Sequence, residues 1–269
     1  MAEGSEGQLA GKVAVITGGT QGVGEATARL FAARGAAGLA ICGRNIERGK
    51  RIASELSGSG CPTEFVHADL ERIDDGRHFI DSAEASFGRL DILVNCAAAT
   101  DRGTVESTTE EIWDTLFTLN VKSQFFLIQR AVEVMRRHGI AGAIANIGTM
   151  VAYGGPPYLI AYSASKGALM TMTRGIANAL KRDRIRINTL NIGWTNTPRE
   201  HLVQTEVHDR PQDWLAQASA EQPFGRLIEP DEVARALAFL CSDESGLMSG
   251  AVIDFDQTVI GTMDENPGV

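Results

Sequence analysis

A tyrosine and a lysine one helical turn apart form the pair most suited to acid–base chemistry in this sequence. Tyr162 and Lys166 stand at positions i and i+4 of a segment predicted to be helical, so their side chains face the same side. A free phenol has a pKa of about 10, and a neighbouring ammonium favours the phenolate and lowers that pKa. The pair therefore predicts an acid or base that acts on an alcohol or a carbonyl oxygen. A surface tyrosine beside a solvated lysine is the alternative for such a pair taken alone.

A glycine-rich turn between the first apolar run and the first amphipathic segment predicts a site for a dinucleotide phosphate. Its informative glycines are Gly18, Gly22 and Gly24. Glycine tolerates a positive φ angle and permits close backbone approach, and the free N–H groups of a helix N-terminus bind phosphate. A tight turn without a ligand is the alternative. The residues expected to contact the cofactor here are Gly18, Thr20, Gln21, Gly22, Val23 and Gly24.

The end of the second apolar run carries an arginine where an NAD-specific site would usually have an acid. An aspartate or glutamate there would bind the ribose hydroxyls of NAD, but this chain reads Gly43-Arg44-Asn45. The guanidinium of Arg44 can bind a 2′-phosphate. The sequence therefore predicts NADP as the preferred cofactor, with NAD possible. Arg44 stacked on adenine or facing solvent is the alternative.

Short apolar runs alternate with amphipathic segments along the chain, and this alternation predicts the elements that position these residues. The runs are residues 13–16, 39–42, 63–66, 92–94, 143–147, 185–190 and 252–254. The amphipathic segments are residues 25–34, 46–56, 73–87, 109–138, 161–181 and 231–241. Several runs are apolar without strict alternation, as in strands buried on both faces. We predict an α/β fold, a single doubly wound domain whose seven-stranded parallel sheet has helices on both faces.

The predicted domain spans residues 9–255, with tails at residues 1–8 and 256–269. Residues 193–224 form the longest irregular stretch, and three prolines and two tryptophans lie within it. A long insertion in an α/β fold often covers the ligand, so we expect a lid there. An ordinary surface excursion is the alternative.

Composition and charge exclude several classes of function. The 269 residues contain 25 Lys and Arg against 34 Asp and Glu, a net charge of −9. Such a chain lacks the basic surface that nucleic acid or an anionic membrane requires. The four cysteines and five histidines have no metal-ligand spacing, and neither a secretory leader nor an apolar stretch of about 20 residues is found. We expect a cytoplasmic protein without a metal, a nucleic-acid partner or a membrane segment.

These motifs together resemble the short-chain dehydrogenase/reductase family over about residues 9–255. The glycine turn is similar to the family's T-G-x-x-x-G-x-G, Tyr162 and Lys166 match its Y-x-x-x-K, and Thr149 stands where the family has a catalytic serine. The resemblance assigns further positions: Asn120 in the active site, Asp69 and Leu70 against adenine, Asn95 and Ala97 in the loop that the family writes N-N-A-G, and Thr195 and Thr197 beside the nicotinamide carboxamide.

The resemblance implies a Rossmann-like fold and hydride transfer between nicotinamide and the carbon of a carbonyl or alcohol. Tyr162 would exchange the proton, and Thr149 would hydrogen-bond to the substrate oxygen. Lys166 would lower the tyrosine pKa and hold the nicotinamide ribose, while Asn120 would hold a water that links Lys166 to solvent. The substrate would be a small carbonyl or alcohol, and the protein a homo-oligomer, either a tetramer or a dimer. The residues expected to border the substrate, with ordinary packing as the alternative, are Tyr153, Tyr158 and Trp194.

The chain departs from the family pattern at three places. Thr149 adds a methyl group at the serine position, Cys96 and Ala98 alter the N-N-A-G loop, and Ile192 replaces a proline. None of these changes removes an acid–base group. A catalytically weak NADP-binding protein of the same fold, with a regulatory or assembly role, is therefore the alternative function.

Overall fold

Seven strands of the computed structural model, which describes residues 7–262, form one parallel sheet. The strands are β1 (Val13–Thr17), β2 (Gly38–Gly43), β3 (Thr63–His67), β4 (Ile92–Asn95), β5 (Ala143–Thr149), β6 (Arg186–Ile192) and β7 (Val252–Phe255). Their order in the sheet is β3-β2-β1-β4-β5-β6-β7. The direction of winding reverses between β1 and β4, and ligands of such sheets bind beyond the strand ends at that point. The predicted fold class is confirmed.

Helices cover both faces of this sheet. They are α1 (Gly22–Ala33), α2 (Ile46–Gly58), α3 (Ile73–Phe87), α4 (Glu110–Phe117), α5 (Gln124–Arg137), α6 (Ile160–Leu180), α7 (Pro198–Leu202), α8 (Trp214–Ala220) and α9 (Pro230–Cys241). Successive residues of a strand point to opposite faces. Ile16 of β1 therefore packs with Phe31 of α1 and Leu237 of α9, whereas Val15 packs with Phe79 of α3 and other residues of the opposite face. Both faces are buried, which is why the strands read as continuous apolar runs.

The helix predicted over residues 109–138 is interrupted where Asn120 lies. A π-helical segment, Thr118–Ser123, separates α4 from α5. The fully buried Asn120 accepts a hydrogen bond from the Ala99 N–H at 2.9 Å and donates to the Ala99 carbonyl at 3.0 Å. It also donates to Ser165 Oγ at 3.0 Å. The wide turn thus directs an amide side chain between the loop after β4 and α6, as π segments at functional sites often do.

The stretch predicted to form a lid, residues 193–224, is more ordered than its composition indicates, and we call it the lid segment. It contains α7, a π-helical turn at Val203–Val207 and α8. Trp214 is fully buried, and its indole N–H donates to His201 Nδ1 at 2.9 Å. Its ring lies 5.9 Å from that of Trp194. A small apolar core of its own therefore holds this segment together.

The predicted tails are described only in part. Residues 1–6 and 263–269 lie outside the described residues. Gln8, which was assigned to the first tail, contacts Arg34 and Glu244. Beyond β7, Thr258 and Ile260 line a cavity of the molecule, so this part of the second tail belongs to the folded unit.

Candidate active site

A cleft of about 310 Å³ lies beyond the carboxyl ends of the central strands. It brings together most of the residues that were predicted to bind a cofactor. Those that line it are Gly18, Thr20, Gln21, Gly22, Val23, Gly24, Arg44, Asp69, Leu70, Ala97, Tyr162, Lys166 and Thr197. The loop departures Cys96, Ala98 and Ile192 line it as well.

The glycine turn has the backbone that a phosphate-binding loop requires. Gly18 and Gly22 adopt φ angles of 64° and 55°, which side chains disfavour. A Cβ on Gly24 would lie 2.3 Å from the Gly18 carbonyl oxygen, so only glycine fits there. Gln21, which precedes α1, places no side-chain cap on that helix. The first N–H groups of α1 are therefore available to an anion in the cleft.

Arg44 lies at the edge of the cleft directly after β2, with an exposed side chain. The next residue, Asn45, caps α2 because its Oδ1 accepts a hydrogen bond from the Arg48 N–H at 2.8 Å. This cap fixes the turn that carries Arg44. The Arg48 guanidinium, which the sequence did not single out, contacts the Gln21 side chain of the glycine turn. Two cations therefore lie beside this end of the cleft.

A second, larger cavity adjoins the cleft, and Tyr162 lies on the wall that both share. The cavity has a volume of about 780 Å³, and Tyr162, Ile192, Thr197 and Glu200 line both spaces. Thr149, at the end of β5, lines the cavity only, and its side chain acts to lower the pKa of the Tyr162 phenol. A group bound in the cleft and a second group bound in the cavity would thus meet at the phenol.

Lys166 is almost fully buried on the cleft side of this junction. Its ammonium donates a hydrogen bond to the Ile147 carbonyl at 2.8 Å. Burial lowers the pKa of Lys166 to about 8. Its place on α6, one turn after Tyr162, agrees with the predicted helical spacing.

The expected lowering of the tyrosine pKa is contradicted. Burial raises the pKa of Tyr162 to about 12, while the Thr149 hydrogen bond and the Arg102 charge act in the opposite direction and Glu200 raises it further. Desolvation outweighs the favourable partners, because the Lys166 ammonium is directed at the Ile147 carbonyl. The phenol is therefore protonated at neutral pH.

Four predicted site residues do not line the space expected of them, namely Asn95, Thr195, Tyr153 and Asn120. Asn95 is buried behind the cleft, where its Nδ2 donates to Asn146 Oδ1 at 2.9 Å. Asn146 in turn donates to Thr173 Oγ1 at 3.0 Å, so Asn95 is part of a polar network between β4, β5 and α6. Thr195 lines the cavity and not the cleft. Tyr153 donates its hydroxyl proton to Asp254 Oδ1 at 3.0 Å and lines neither space.

The other residues predicted to border a substrate line the cavity. Tyr158 and Trp194 line the cavity, together with Met150. Trp214 does not reach the cavity, and it supports Trp194 from behind. Asn120 lines neither space, but it holds Ala99 and Ser165 in place around the junction.

Sequence reasoning missed five polar residues of the cavity. They are Arg102, Glu200, Gln204, His208 and Arg210. Arg102 follows β4 at the carboxyl edge of the sheet, where α/β folds bind ligands, and this position was the available signal. The other four lie in the lid segment, whose contacts with the sheet have no periodic sequence pattern.

Among residues 7–262, no group of three or more His, Cys, Asp or Glu could hold a metal ion. No helix in the same range is both long and apolar enough to cross a bilayer.

Comparison with known proteins gives concordant results. Residues 18–258 match the family model described as enoyl-(acyl carrier protein) reductase. An uncharacterized oxidoreductase of Thermotoga maritima is 34% identical over 246 residues, which are 91% of this chain and 96% of that protein. An NADP-dependent (R)-specific alcohol dehydrogenase of Lentilactobacillus kefiri is 33% identical over 246 residues, which are 91% of this chain and 94% of that protein.

A solved structure described as a short chain dehydrogenase/reductase family protein is similar in fold. It has a TM-score of 0.78 and 32% identity, and the match covers 93% of this chain and 97% of that chain. The chain therefore belongs to the short-chain dehydrogenase/reductase family of oxidoreductases.

Proposed function

We propose that this oxidoreductase is NAD(P)-dependent and transfers a hydride between nicotinamide and the carbon of a carbonyl or alcohol. The observation that carries the proposal is the position of Tyr162 on the wall shared by the cleft and the cavity. An acid–base group at that junction can serve a substrate in the cavity while a dinucleotide occupies the cleft. The cofactor would supply the hydride, and the protein would supply position and proton transfer.

The residues of the cleft fit a dinucleotide. The uncapped N-terminus of α1 and the glycine turn would hold the pyrophosphate, and Asp69 and Leu70 would lie against adenine. Arg44 would bind a 2′-phosphate, with Arg48 close by, so NADP is the preferred cofactor and NAD is possible. The name of the Lentilactobacillus kefiri relative, which states NADP dependence, supports this choice.

Tyr162 would act as the proton donor during reduction. Its pKa of about 12 keeps it protonated at neutral pH, and transfer to the developing alkoxide needs no prior ionisation. Thr149 would donate a hydrogen bond to the same oxygen, and Lys166 would hold the nicotinamide ribose. During oxidation the phenol must first lose its proton, so a high pH would favour that direction.

Replacement of the acid tests the proposal. NADPH consumption over a panel of ketones and aldehydes should fall at least about 100-fold in Tyr162→Phe, because a positioned acid contributes that much or more. Tyr153→Phe is the matched control, since Tyr153 lies outside both spaces, and it should stay within about threefold of wild type. Equal consumption by wild type and Tyr162→Phe contradicts the assigned role. NADPH binding without consumption of any substrate favours the non-catalytic alternative.

A homo-oligomer in a reducing, cytoplasmic compartment is also part of the proposal. Trp113 of α4 and Phe125 of α5 are 44% and 41% exposed, and large exposed aromatics often mark an interface. All four cysteines are free thiols, as is usual in a reducing compartment. The partner would be a further copy of the same chain, as a dimer or a tetramer.

A further inference from the structure

Arg102 is a cation built into the wall of the second cavity. The loop that carries it pairs with the segment before α6, because the Gly103 N–H donates to the Tyr158 carbonyl at 2.9 Å. The guanidinium carbon lies 5.6 Å from the centre of the Tyr158 ring. Only 17% of the Arg102 side chain is exposed. Backbone pairing and cation–π contact thus hold the charge at a defined place inside the cavity.

Within the described part of the chain, the guanidinium of Arg102 has one carboxylate neighbour and no hydrogen bond to it. Its Nη2 lies 3.8 Å from Glu200 Oε2, beyond hydrogen-bond distance. Its Nε is buried and has no hydrogen-bond partner among residues 7–262. Its Nη1 contacts His208, but burial and the Arg102 charge lower the pKa of that histidine. His208 is therefore neutral and does not offset the positive charge.

Glu200 is committed to other donors. Its Oε1 accepts hydrogen bonds from Trp194 Nε1 at 2.8 Å and from Gln204 Nε2 at 2.6 Å. These bonds use Oε1 only, so Oε2 is the carboxylate oxygen that faces Arg102 at 3.8 Å. Arg102 is half-buried, has no hydrogen-bonded carboxylate, and keeps a buried Nε without a partner among residues 7–262, so a further anion in the cavity would stabilise it. A guanidinium binds a carboxylate better than other side-chain cations do.

Two further charged residues line the cavity, and their charges cancel formally. Arg210 is exposed, and its guanidinium carbon lies 5.8 Å from the Trp194 ring. Asp256 lines the cavity beside Gly193. These two groups have opposite sign and offset each other formally. Arg102 and Tyr162 both line the cavity, so one substrate can contact both.

We propose that the substrate carries a carboxylate besides its reacting carbonyl or hydroxyl group, and that Arg102 binds this carboxylate. The inference rests on the proposed function. The substrate class is thus an oxo acid in the reductive direction and the corresponding hydroxy acid in the oxidative direction. The reaction itself is unchanged, since the carboxylate is recognised and does not react.

Matched acid and ester substrates test this inference. Wild-type kcat/KM for an oxo acid should exceed that for its methyl ester, across a series of chain lengths. Arg102→Gln should lower the value for the acid about 10- to 100-fold, the range expected for one charged hydrogen-bonding partner, and leave the ester within about threefold. For Arg102→Lys, kcat/KM for the acid should lie between the values of wild type and Arg102→Gln. Arg182→Gln removes the same charge at an exposed position outside both spaces and should have no effect.

Binding measured without turnover separates failure of the inference from failure of the proposed function. Trp194 lines the cavity, so ligand binding to the NADPH complex can be followed by tryptophan fluorescence. Arg102-dependent binding of oxo acids without turnover supports the inference and contradicts the proposed function. Equal affinity for acid and ester, or equal losses for both in Arg102→Gln, overturns the inference. If Arg102→Gln fails to fold, the wild-type preference between acid and ester decides the question.

Discussion

Burial shifts the pKa values of the two acid–base groups at the junction in opposite directions. It lowers the pKa of Lys166 to about 8 and raises that of Tyr162 to about 12. In both cases the neutral form gains, because a charge loses its hydration inside the protein. At neutral pH the lysine is still charged and the phenol still protonated, which is the state that proton donation needs.

The buried ammonium of Lys166 should reduce stability at neutral pH. A pKa lowered from 10.5 to about 8 corresponds to about 3 kcal/mol, partly offset in any variant by loss of the bond to Ile147. Between these values the unfolded chain binds more protons, so the penalty is full below pH 8 and disappears as the pH approaches 10.5. We expect Lys166→Met to raise the free energy of unfolding by about 1–2 kcal/mol at pH 7, measured by urea titration. The difference in free energy of unfolding between Lys166→Met and wild type should shrink by pH 10. A variant less stable than wild type at pH 7 would refute this explanation.

The hydroxyl of Thr149 should be the part of that side chain that matters. Thr149→Ser keeps the donor and should retain turnover within about fivefold. Thr149→Val keeps the shape and removes the donor, and kcat should fall about 100- to 1,000-fold, as for loss of one oxyanion donor. Steady-state kinetics with NADPH checks both variants. Similar kcat values for Thr149→Ser and Thr149→Val would mean that Tyr162 transfers its proton without help from this hydroxyl.

Particular residues show how far the sequence could predict the site. Tyr162, Lys166 and the glycine turn were predicted correctly to lie together, since helical spacing and strand-end position determine where they lie. The positions of Asn95 and Tyr153 were predicted wrongly, because a motif gives a position in the chain and not the direction of the side chain. Arg102 was missed because its role depends on backbone pairing with Tyr158, which is distant in sequence.

At the scale of elements, periodicity predicted all strands of the sheet but not the break at Thr118–Ser123. The apolar spacing of residues 109–138 continues through the break, so the pattern reads as one helix. The π segment is stabilised by tertiary contacts of Asn120 with Ala99 and Ser165. Likewise, the helices of the lid segment are short, and their stability comes from packing around Trp214.

Trp214 should anchor the lid segment. Trp214→Ala removes a fully buried indole, and losses of about 3–5 kcal/mol are typical for such a change. We expect KM for the substrate to rise at least about tenfold and limited proteolysis to cut within residues 203–213 before the rest of the chain. Val207→Ala, at a position 62% exposed, is the control and should behave like wild type. An unchanged KM in Trp214→Ala would show that the segment does not cover the substrate.

At the scale of the whole molecule, the net charge of −9 coexists with local cations. Arg44 and Arg48 lie beside the cleft, and Arg102 lies in the cavity. An acidic surface with basic sites inside selects small anions and repels polyanions. The overall charge is therefore unfavourable for polyanionic partners, whereas single arginines offer places where a small anion would bind.

The exposed aromatics of α4 and α5 should form a contact between copies of the chain. Analytical ultracentrifugation of wild type should give a mass of two or four times 28.8 kDa. Substituting glutamate for both Trp113 and Phe125 should lower the mass to that of a smaller assembly, because charges enter an apolar contact. Phe224→Glu, at another exposed aromatic, should leave the mass unchanged. A monomeric wild type would rule out this contact.

Hydride transfer controlled by Tyr162 can be measured most directly with NADPH that carries deuterium at carbon four of nicotinamide, in the transferred position. Mass spectrometry of the alcohol formed in a single turnover should find one deuterium at the carbinol carbon. Tyr162→Phe should form this product at least about 100-fold more slowly while binding NADPH as tightly as wild type. An alcohol without deuterium, or equal rates for the two proteins, would contradict the proposed function.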